Sequence, residues 1–178
     1  MIKRAICAAL GLVLCLSVFA FMPLRASAVD MQVSDACVEL IKQLEGFSAI
    51  PKWDYSQWTV GFGTACPDEH LDRYLEEGIP LDEAEALLAE KLVYFDERVN
   101  SFKNKNNLTL TQGQYDAIFS LAYNCGASWL SKSEGTLYQA IVNGVTGNEF
   151  IAALTAWCTA GGNFLHGLMI RRMVEAEM

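Results

Sequence analysis

The stretch from Leu44-Glu45-Gly46 through Asp54 to Thr59-Val60-Gly61-Phe62-Gly63-Thr64 constrains this chain more than any other part of it. It predicts a helix that ends on an acid, a short connection carrying a second acid, and a glycine-rich strand. Ser34 or Asp35 supplies the helix start, and Cys37, Ile41 and Leu44 then share one helical face. Glu45 lies one helical repeat beyond Ile41, so it continues that apolar face instead of the solvent side. Gly46 is the residue type that most often closes a helix in the left-handed conformation. A carboxyl group at that point meets the negative end of the helix dipole together with partial desolvation, and both favour its neutral form. A general acid working near neutral pH needs that form.

In the segment from Gln57 to Gly63, strand alternation places Trp58, Val60 and Phe62 on one face and Thr59, Gly61 and Gly63 on the other. A face bearing only hydrogens and one hydroxyl leaves room for a ligand against the backbone. Asp54 stands just before this strand. A helix-borne acid and an acid at a strand's mouth, beside an open face, suit glycoside hydrolysis. Each part alone has a plainer reading. An acid at a helix end is usually solvated, Gly-x-Gly is usually a bend, and Asp before an aromatic is turn chemistry. Only the joint pattern carries the chemistry.

That joint pattern, Leu44-Glu45-Gly46-Phe47 followed by Asp54-Tyr55-Ser56-Gln57-Trp58-Thr59-Val60-Gly61-Phe62-Gly63-Thr64, resembles the active-site segment of the phage-type lysozymes, glycoside hydrolase family twenty-four. The family pattern is a Glu, eight residues, an Asp or Cys, five residues and a Thr. Glu45 and Asp54 keep the first spacing, whereas Asp54 and Thr59 stand one residue closer than the pattern. The turn from Tyr55 to Trp58 absorbs the difference. The resemblance implies an α+β, lysozyme-like fold: a small lobe with a β-hairpin and a larger all-helical lobe, joined by a long helix. It implies that Glu45 protonates the leaving glycosidic oxygen. Asp54 readies the attacking water and steadies positive charge on the sugar, while Thr59 helps place that water. Relatives invert the anomeric centre, and neither cofactor nor metal is implied.

Further segments match in order. Tyr123-Asn124-Cys125-Gly126 resembles the family's cleft border, where Tyr123 and Asn124 would stack on sugars and hydrogen-bond to them; core packing of Tyr123 is an equal alternative. Trp157 with Gly161-Gly162, then Gly167-Leu168-Met169-Ile170-Arg171-Arg172-Met173-Val174-Glu175, resembles the terminal Gly-Leu…Arg-Arg…Glu helix. In relatives one Arg of this pair bridges the catalytic Glu. Arg171 is the candidate by register and Arg172 the second. Such a bridge favours the ionised carboxyl, opposing burial and the helix dipole.

The chain's 178 residues begin with a basic start at Lys3 and Arg4, an uncharged apolar run from Ala5 to Met22, and Ala26-Ser27-Ala28. This is the pattern of a cleaved signal peptide over 1–28, leaving one domain over 29–178 in a secreted or wall-space protein. An uncleaved membrane anchor is the competing reading, which the Ala-x-Ala exit disfavours. After cleavage the chain keeps 13 − 3 = 10 basic residues against 21 acidic ones. Nucleic acid is therefore excluded as a partner. Peptidoglycan strands are the expected partner, met by a monomer with no stable membrane association and without long-range steering. Cys37, Cys66, Cys125 and Cys158 form an even set in an exported chain, which predicts two disulfides in an open pairing. The absence of a Cys-x-x-Cys pair argues against zinc, and His70 and His166 have no partner at metal-binding spacing.

Acids at the first turn after Pro80 and the rhythm Ala84, Leu87, Leu88, Leu92, Phe95 predict a helix to about residue 100, with the Lys91 stem on the same face. Lys103 to Asn107 reads as a polar linker. Thr111-Gln112-Gly113-Gln114 is a capping box opening an apolar helix that holds Tyr115, Ile118, Phe119 and Ala122. Short helices follow over 135–144 and 149–157, broken at Ala160-Gly161-Gly162. The function expected is hydrolysis of the β-1,4 bond between N-acetylmuramic acid and N-acetylglucosamine. A wall-sugar-binding module that has lost turnover, and a chitin-directed enzyme of the same fold, are the alternatives.

Overall fold

The computed structural model describes residues 29–54 and 56–178, so the leader expected over 1–28 lies outside the described residues. Among the described residues no helix is long and apolar enough to cross a membrane. The first helix, α1 (Asp35–Glu45), starts where Ser34 turns its hydroxyl back to accept from the Cys37 amide at 3.2 Å. It stops where Gly46 takes φ +67° and its N–H bonds the Lys42 carbonyl. A three-stranded antiparallel sheet follows, ordered β1 (Ser48–Asp54), β2 (Gln57–Gly61) and β3 (Thr64–Ala65). Lys52 pairs Thr59 and Asp54 pairs Gln57, and an irregularity between Ser48 and Lys52 bends the first strand.

A 3₁₀ turn (Asp68–His70) leads into α2 (Leu71–Glu77), and the 25-residue α3 (Leu81–Lys105) then crosses from the sheet to the helical body. This helix overruns the expected linker. Lys103 lies buried within it, its ammonium donating to the Val29 carbonyl at 2.9 Å. The capping box at Thr111 and Gln114 opens α4 (Gln112–Cys125), whose buried residues make it the centre of the larger lobe. A 3₁₀ turn (Ala127–Ser131), α5 (Thr136–Val142) and α6 (Gly147–Thr155) complete the wall around it. At the predicted break the chain makes a small hairpin, β4 (Thr159–Ala160) and β5 (Asn163–Phe164), turning on two positive-φ glycines. The last element is α7 (His166–Ala176).

The first helix is fastened by hydrogen bonds to the helical body. Asp116 of α4 accepts from the Ser34 amide and hydroxyl at 3.0 and 2.7 Å. Upstream, Met31 exchanges two hydrogen bonds with the Asn100 amide, and the Val33 amide donates to Asp96. These bonds satisfy backbone groups of an irregular segment that joins no sheet. The hairpin therefore hangs from a helix whose start and finish are set by the larger lobe.

The two expected disulfides are not formed: Cys37, Cys66, Cys125 and Cys158 are free thiols. Each belongs to a different part of the chain and has its own neighbour. Cys37 is buried in α1 against the Asp116 carbonyl, and burial pushes its thiol up to about 12. Cys66 follows β3 and donates to the Pro67 carbonyl at 3.7 Å. Cys125 ends α4 and accepts from Arg172 at 3.3 Å, while Cys158 is buried just ahead of β4. An even count does not bring Cα atoms within the roughly 4.4–6.8 Å that a disulfide requires.

The joint between α2 and α3 is made by an ion pair. Arg73 Nη1 reaches Glu83 at 3.0 Å, and the buried Tyr74 donates its hydroxyl to the same carboxylate at 2.6 Å. The Arg73 guanidinium, and then the Tyr74 hydroxyl, hold the Glu83 carboxyl down from its ordinary 4.5 to about 2. A depressed folded-state value contributes stability above the unfolded value and loses it as pH falls through the folded one. Glu83→Gln should therefore lower the melting temperature above pH 4.5. Its difference from wild type should close as pH approaches 2, as thermal melts across that window would register.

Candidate active site

Glu45 is the last residue of α1, and its side chain is 21 % exposed. Its carboxylate is gripped from the far end of the chain, where Arg171 Nη1 lies 2.6 Å from Glu45 Oε1. The same guanidinium uses Nε on Glu175 Oε1 at 3.2 Å and Nη2 on the Ser120 carbonyl at 3.4 Å. Arg172, next in the chain, faces elsewhere. Its Nη2 donates to Glu175 Oε1 and to Asn124 Oδ1, both at 2.9 Å. Its Nε stands 2.7 Å from Glu175 Oε2 at an angle that gives a charge contact and not a hydrogen bond. Ser120 adds its hydroxyl to Glu175 Oε1 at 2.7 Å. Two carboxylates and two guanidiniums are thus interleaved, and the Arg172 and Glu175 side chains are 0 % exposed.

The glycine-rich segment closes over this cluster from the sheet side. The expected open face is filled from both ends. A Cβ on Gly61 would stand 2.9 Å from the Ala84 side chain, so that glycine lets α3 approach the sheet. A Cβ on Gly63 would stand 2.9 Å from Glu45 Oε2, so that glycine admits the carboxyl group. Both adopt positive φ, which breaks the regular alternation on which the open-face reading relied. Phe62 and Val60 do face the core, with Trp58 half-buried beside them.

Two residues of the helical body hold this turn by its carbonyls. Tyr123 is buried and donates its hydroxyl to the Phe62 carbonyl at 2.8 Å. Lys91 donates to the Gly63 carbonyl at 2.6 Å and sits 4.0 Å over the Tyr123 ring. Burial holds the Lys91 ammonium below its usual range, while the Glu45 charge pulls it back up. The helical rhythm had placed the Lys91 stem on the inner face, yet only the fold reveals what its ammonium reaches. Of the two sugar-contact candidates, Tyr123 is spent on packing and on the turn. Asn124 is half-exposed, with Oδ1 engaged by Arg172.

Asp54 lies at the far end of β1, exposed, directly opposite Gln57. Among the described residues no hydrogen bond or ion pair joins its side chain to Glu45. Thr59 is half-buried opposite Lys52 and donates its hydroxyl to the Lys52 carbonyl at 3.3 Å. Asp54 and Thr59 are diagonal neighbours on one hairpin face, a separation of about 7–8 Å. The structure therefore gathers Glu45, Arg171, Arg172 and Asn124 into one network and leaves Asp54 and Thr59 on the adjoining ribbon. Among the described residues no cluster of His, Cys, Asp and Glu could hold a metal ion.

Comparison with known proteins points to one group. The family model described as phage lysozyme matches residues 42–175. An endolysin of Bacillus phage B103 is 33 % identical over 83 % of this chain and 54 % of its own length. The chain thus spans about half the length of the first curated relatives it matches. Among solved structures, the muramidase domain of SpmX from Asticaccaulis excentricus superposes with a TM-score of 0.67 at 28 % identity, covering 82 % of this chain and 95 % of that domain. The endolysin from Escherichia coli O157:H7 phage FAHEc1 gives 0.65 at 25 % identity, covering 84 % and 93 %.

The buried quartet has a measurable consequence. Removing one partner of a buried pair leaves an uncompensated charge and costs about 3–5 kcal/mol. Arg172→Met is expected to lose that much in urea unfolding. Adding Glu175→Leu to Arg172→Met should recover part of the loss, because the stranded carboxylate is then gone.

Proposed function

The chain belongs to the phage lysozyme family, and on that premise we propose that it is a lysozyme that cuts the β-1,4 bond between N-acetylmuramic acid and N-acetylglucosamine in peptidoglycan. Glu45 is the general acid that protonates the leaving glycosidic oxygen. The observation that carries this reading is the setting of that one side chain: partly exposed at a helix C-terminus, oriented by Arg171 and flanked by a glycine that leaves it room. A carboxyl held in a single orientation can meet a glycosidic oxygen without paying for orientation during the reaction.

Asp54 and Thr59 act on the other side of the sugar. Their place on one hairpin face supports a shared water, with the Asp54 carboxylate as base and the Thr59 oxygen as a second acceptor. The Glu45 and Asp54 side chains share no hydrogen bond or ion pair, and inversion would need their carboxyls about 6.5–9.5 Å apart to admit water. Asn124 contributes a hydrogen bond to the sugar from its amide nitrogen, and Tyr123 and Lys91 serve by fixing the turn beside Glu45. The relatives' names, endolysin and muramidase, agree with a wall polymer as substrate. We place the enzyme in the wall space as a monomer, its leader cut after Ala28, with no cofactor in the reaction.

The decisive experiment is clearing of a cell-wall suspension, with product anomers followed by NMR. Wild type should clear it and release the inverted anomer first. Glu45→Gln should lose about 10²–10⁴-fold in rate, the usual worth of a general acid. Equal clearing by the two proteins would remove the role from Glu45, no clearing by either would favour a binding module, and a retained anomer would overturn the single-displacement scheme. Gly63→Ala should cost roughly 1 kcal/mol or more of stability through its φ of +71°. It should also reduce turnover at least tenfold, since the new methyl displaces the Glu45 carboxyl.

A further inference from the structure

A hollow of about 280 Å³ lies between the second half of α3 and the 3₁₀ turn at Ala127–Ser131. It is lined by Tyr94, Arg98, Ser101 and Lys105 from the helix and by Ser128 and Ser131 from the turn, among others. That volume is near the lower end of the roughly 300–1,000 Å³ typical of small-ligand sites. The lining holds two cations and no carboxylate. Asp96 and Glu97 line the neighbouring groove on the Asp30–Gln32 side, which shares Ser101 with this hollow.

The placement of these cations is not what the rest of the chain would predict. Acids outnumber bases 21 to 10 over residues 29–178. The other cations are mostly taken: Lys42, Arg73, Arg171 and Arg172 by carboxylates, and Lys91 and Lys103 by carbonyls. Among the described residues, the side chains of Lys52, Arg98, Lys105 and Lys132 have neither an ion-pair nor a hydrogen-bond partner. Arg98 and Lys105 line this hollow, and Lys132 directly follows Ser131 at its rim. With acids so abundant, unspent cations gathered at one concavity leave a local positive field.

The hollow also has the fittings of a sugar site. Tyr94 is 47 % exposed, and the Arg98 guanidinium lies over one face of its ring, 4.8 Å from the centroid, so only the other face is open to a sugar. Three serine hydroxyls supply neutral donors and acceptors. Lys91, Tyr94, Arg98, Ser101 and Lys105 follow one stripe of α3, and the stripe begins at the Gly63 turn beside Glu45. Lys91 and Arg98 are seven residues apart, or about 10.5 Å along the axis. The stripe thus runs from the turn beside Glu45 toward the hollow.

We propose that this hollow binds an oxyanion carried on a sugar, such as the free lactyl carboxylate of a muramic acid residue without its stem peptide or the phosphate of a sugar ester. Arg98 and Lys105 hold the oxyanion and Tyr94 carries the ring. The choice of a sugar rests on the lysozyme reading, whereas the oxyanion site rests on the cations alone.

The test is an NMR titration of the full chain with three probes: N-acetylmuramic acid, uncharged N-acetylglucosamine and inorganic phosphate. N-acetylmuramic acid should shift the amides of residues 98–105 and 127–132 saturably, and more tightly than either other probe. Arg98→Gln with Lys105→Gln should weaken that binding at least tenfold, with the melting temperature retained. Lys52→Gln should leave it unchanged. Equal binding of N-acetylglucosamine would remove the charge from the proposal, and equal binding of phosphate would remove the sugar. Wild-type affinity in the double variant would overturn the site. Because the titration needs no turnover, an inactive protein that still binds would separate failure of the lysozyme reading from failure of this one.

Discussion

The contact between Arg171 and Glu45 closes the chain on itself, 126 residues apart, and the rest of the site is arranged to make it affordable. A lone guanidinium buried at 6 % exposure would be costly, since desolvation of an ion exceeds what one partner returns. Here the charge is divided. Arg171 serves Glu45 and Glu175, Glu175 serves both arginines, and Ser120, Asn124 and Cys125 take further donors and acceptors, while Arg172 Nε and Glu175 Oε2 meet only as a charge contact. The result is locally neutral and draws on α1, α4 and α7 together. Any one element displaced would strand a charge, so the cluster locks the three helices to one another as well as aiming a carboxyl group.

This arrangement explains which parts of the site were legible from the residues. Helix α1, its Ser34 cap and its Gly46 stop follow from local chemistry, and so does the capping box of α4. Choosing between Arg171 and Arg172 required register, because neighbours on a helix point about 100° apart and only one can face Glu45. The geometry gives that position to Arg171 and turns Arg172 toward Asn124 and Cys125. Lys91 was visible as an amphipathic residue on an inner face, but nothing in its neighbours could say that a carbonyl of the Gly63 turn awaited it. The glycines were legible as exceptions and misread as vacancies. Their missing side chains make room for Ala84 and Glu45, atoms that belong to the protein. The cysteines failed for a related reason: count and compartment describe a population, whereas a disulfide is a distance between two particular Cα atoms.

Charge on this protein therefore exists in two regimes. The surface excess of acid acts through water and ions, and at physiological salt it fades over about 8 Å. The quartet around Glu45 is enclosed and balanced, with two of its four side chains fully buried, so neither the surface charge nor added salt reaches it with much force. Salt dependence in such a molecule should arise where unpaired cations meet solvent, at Lys52, Arg98, Lys105 and Lys132, more than at the carboxyl group. An acidic exterior is then compatible with the proposed work on an anionic polymer. Repulsion weakens the distant approach of an anion, exposed cations offset it locally, and Glu45 keeps an electrostatic setting that the protein supplies from within.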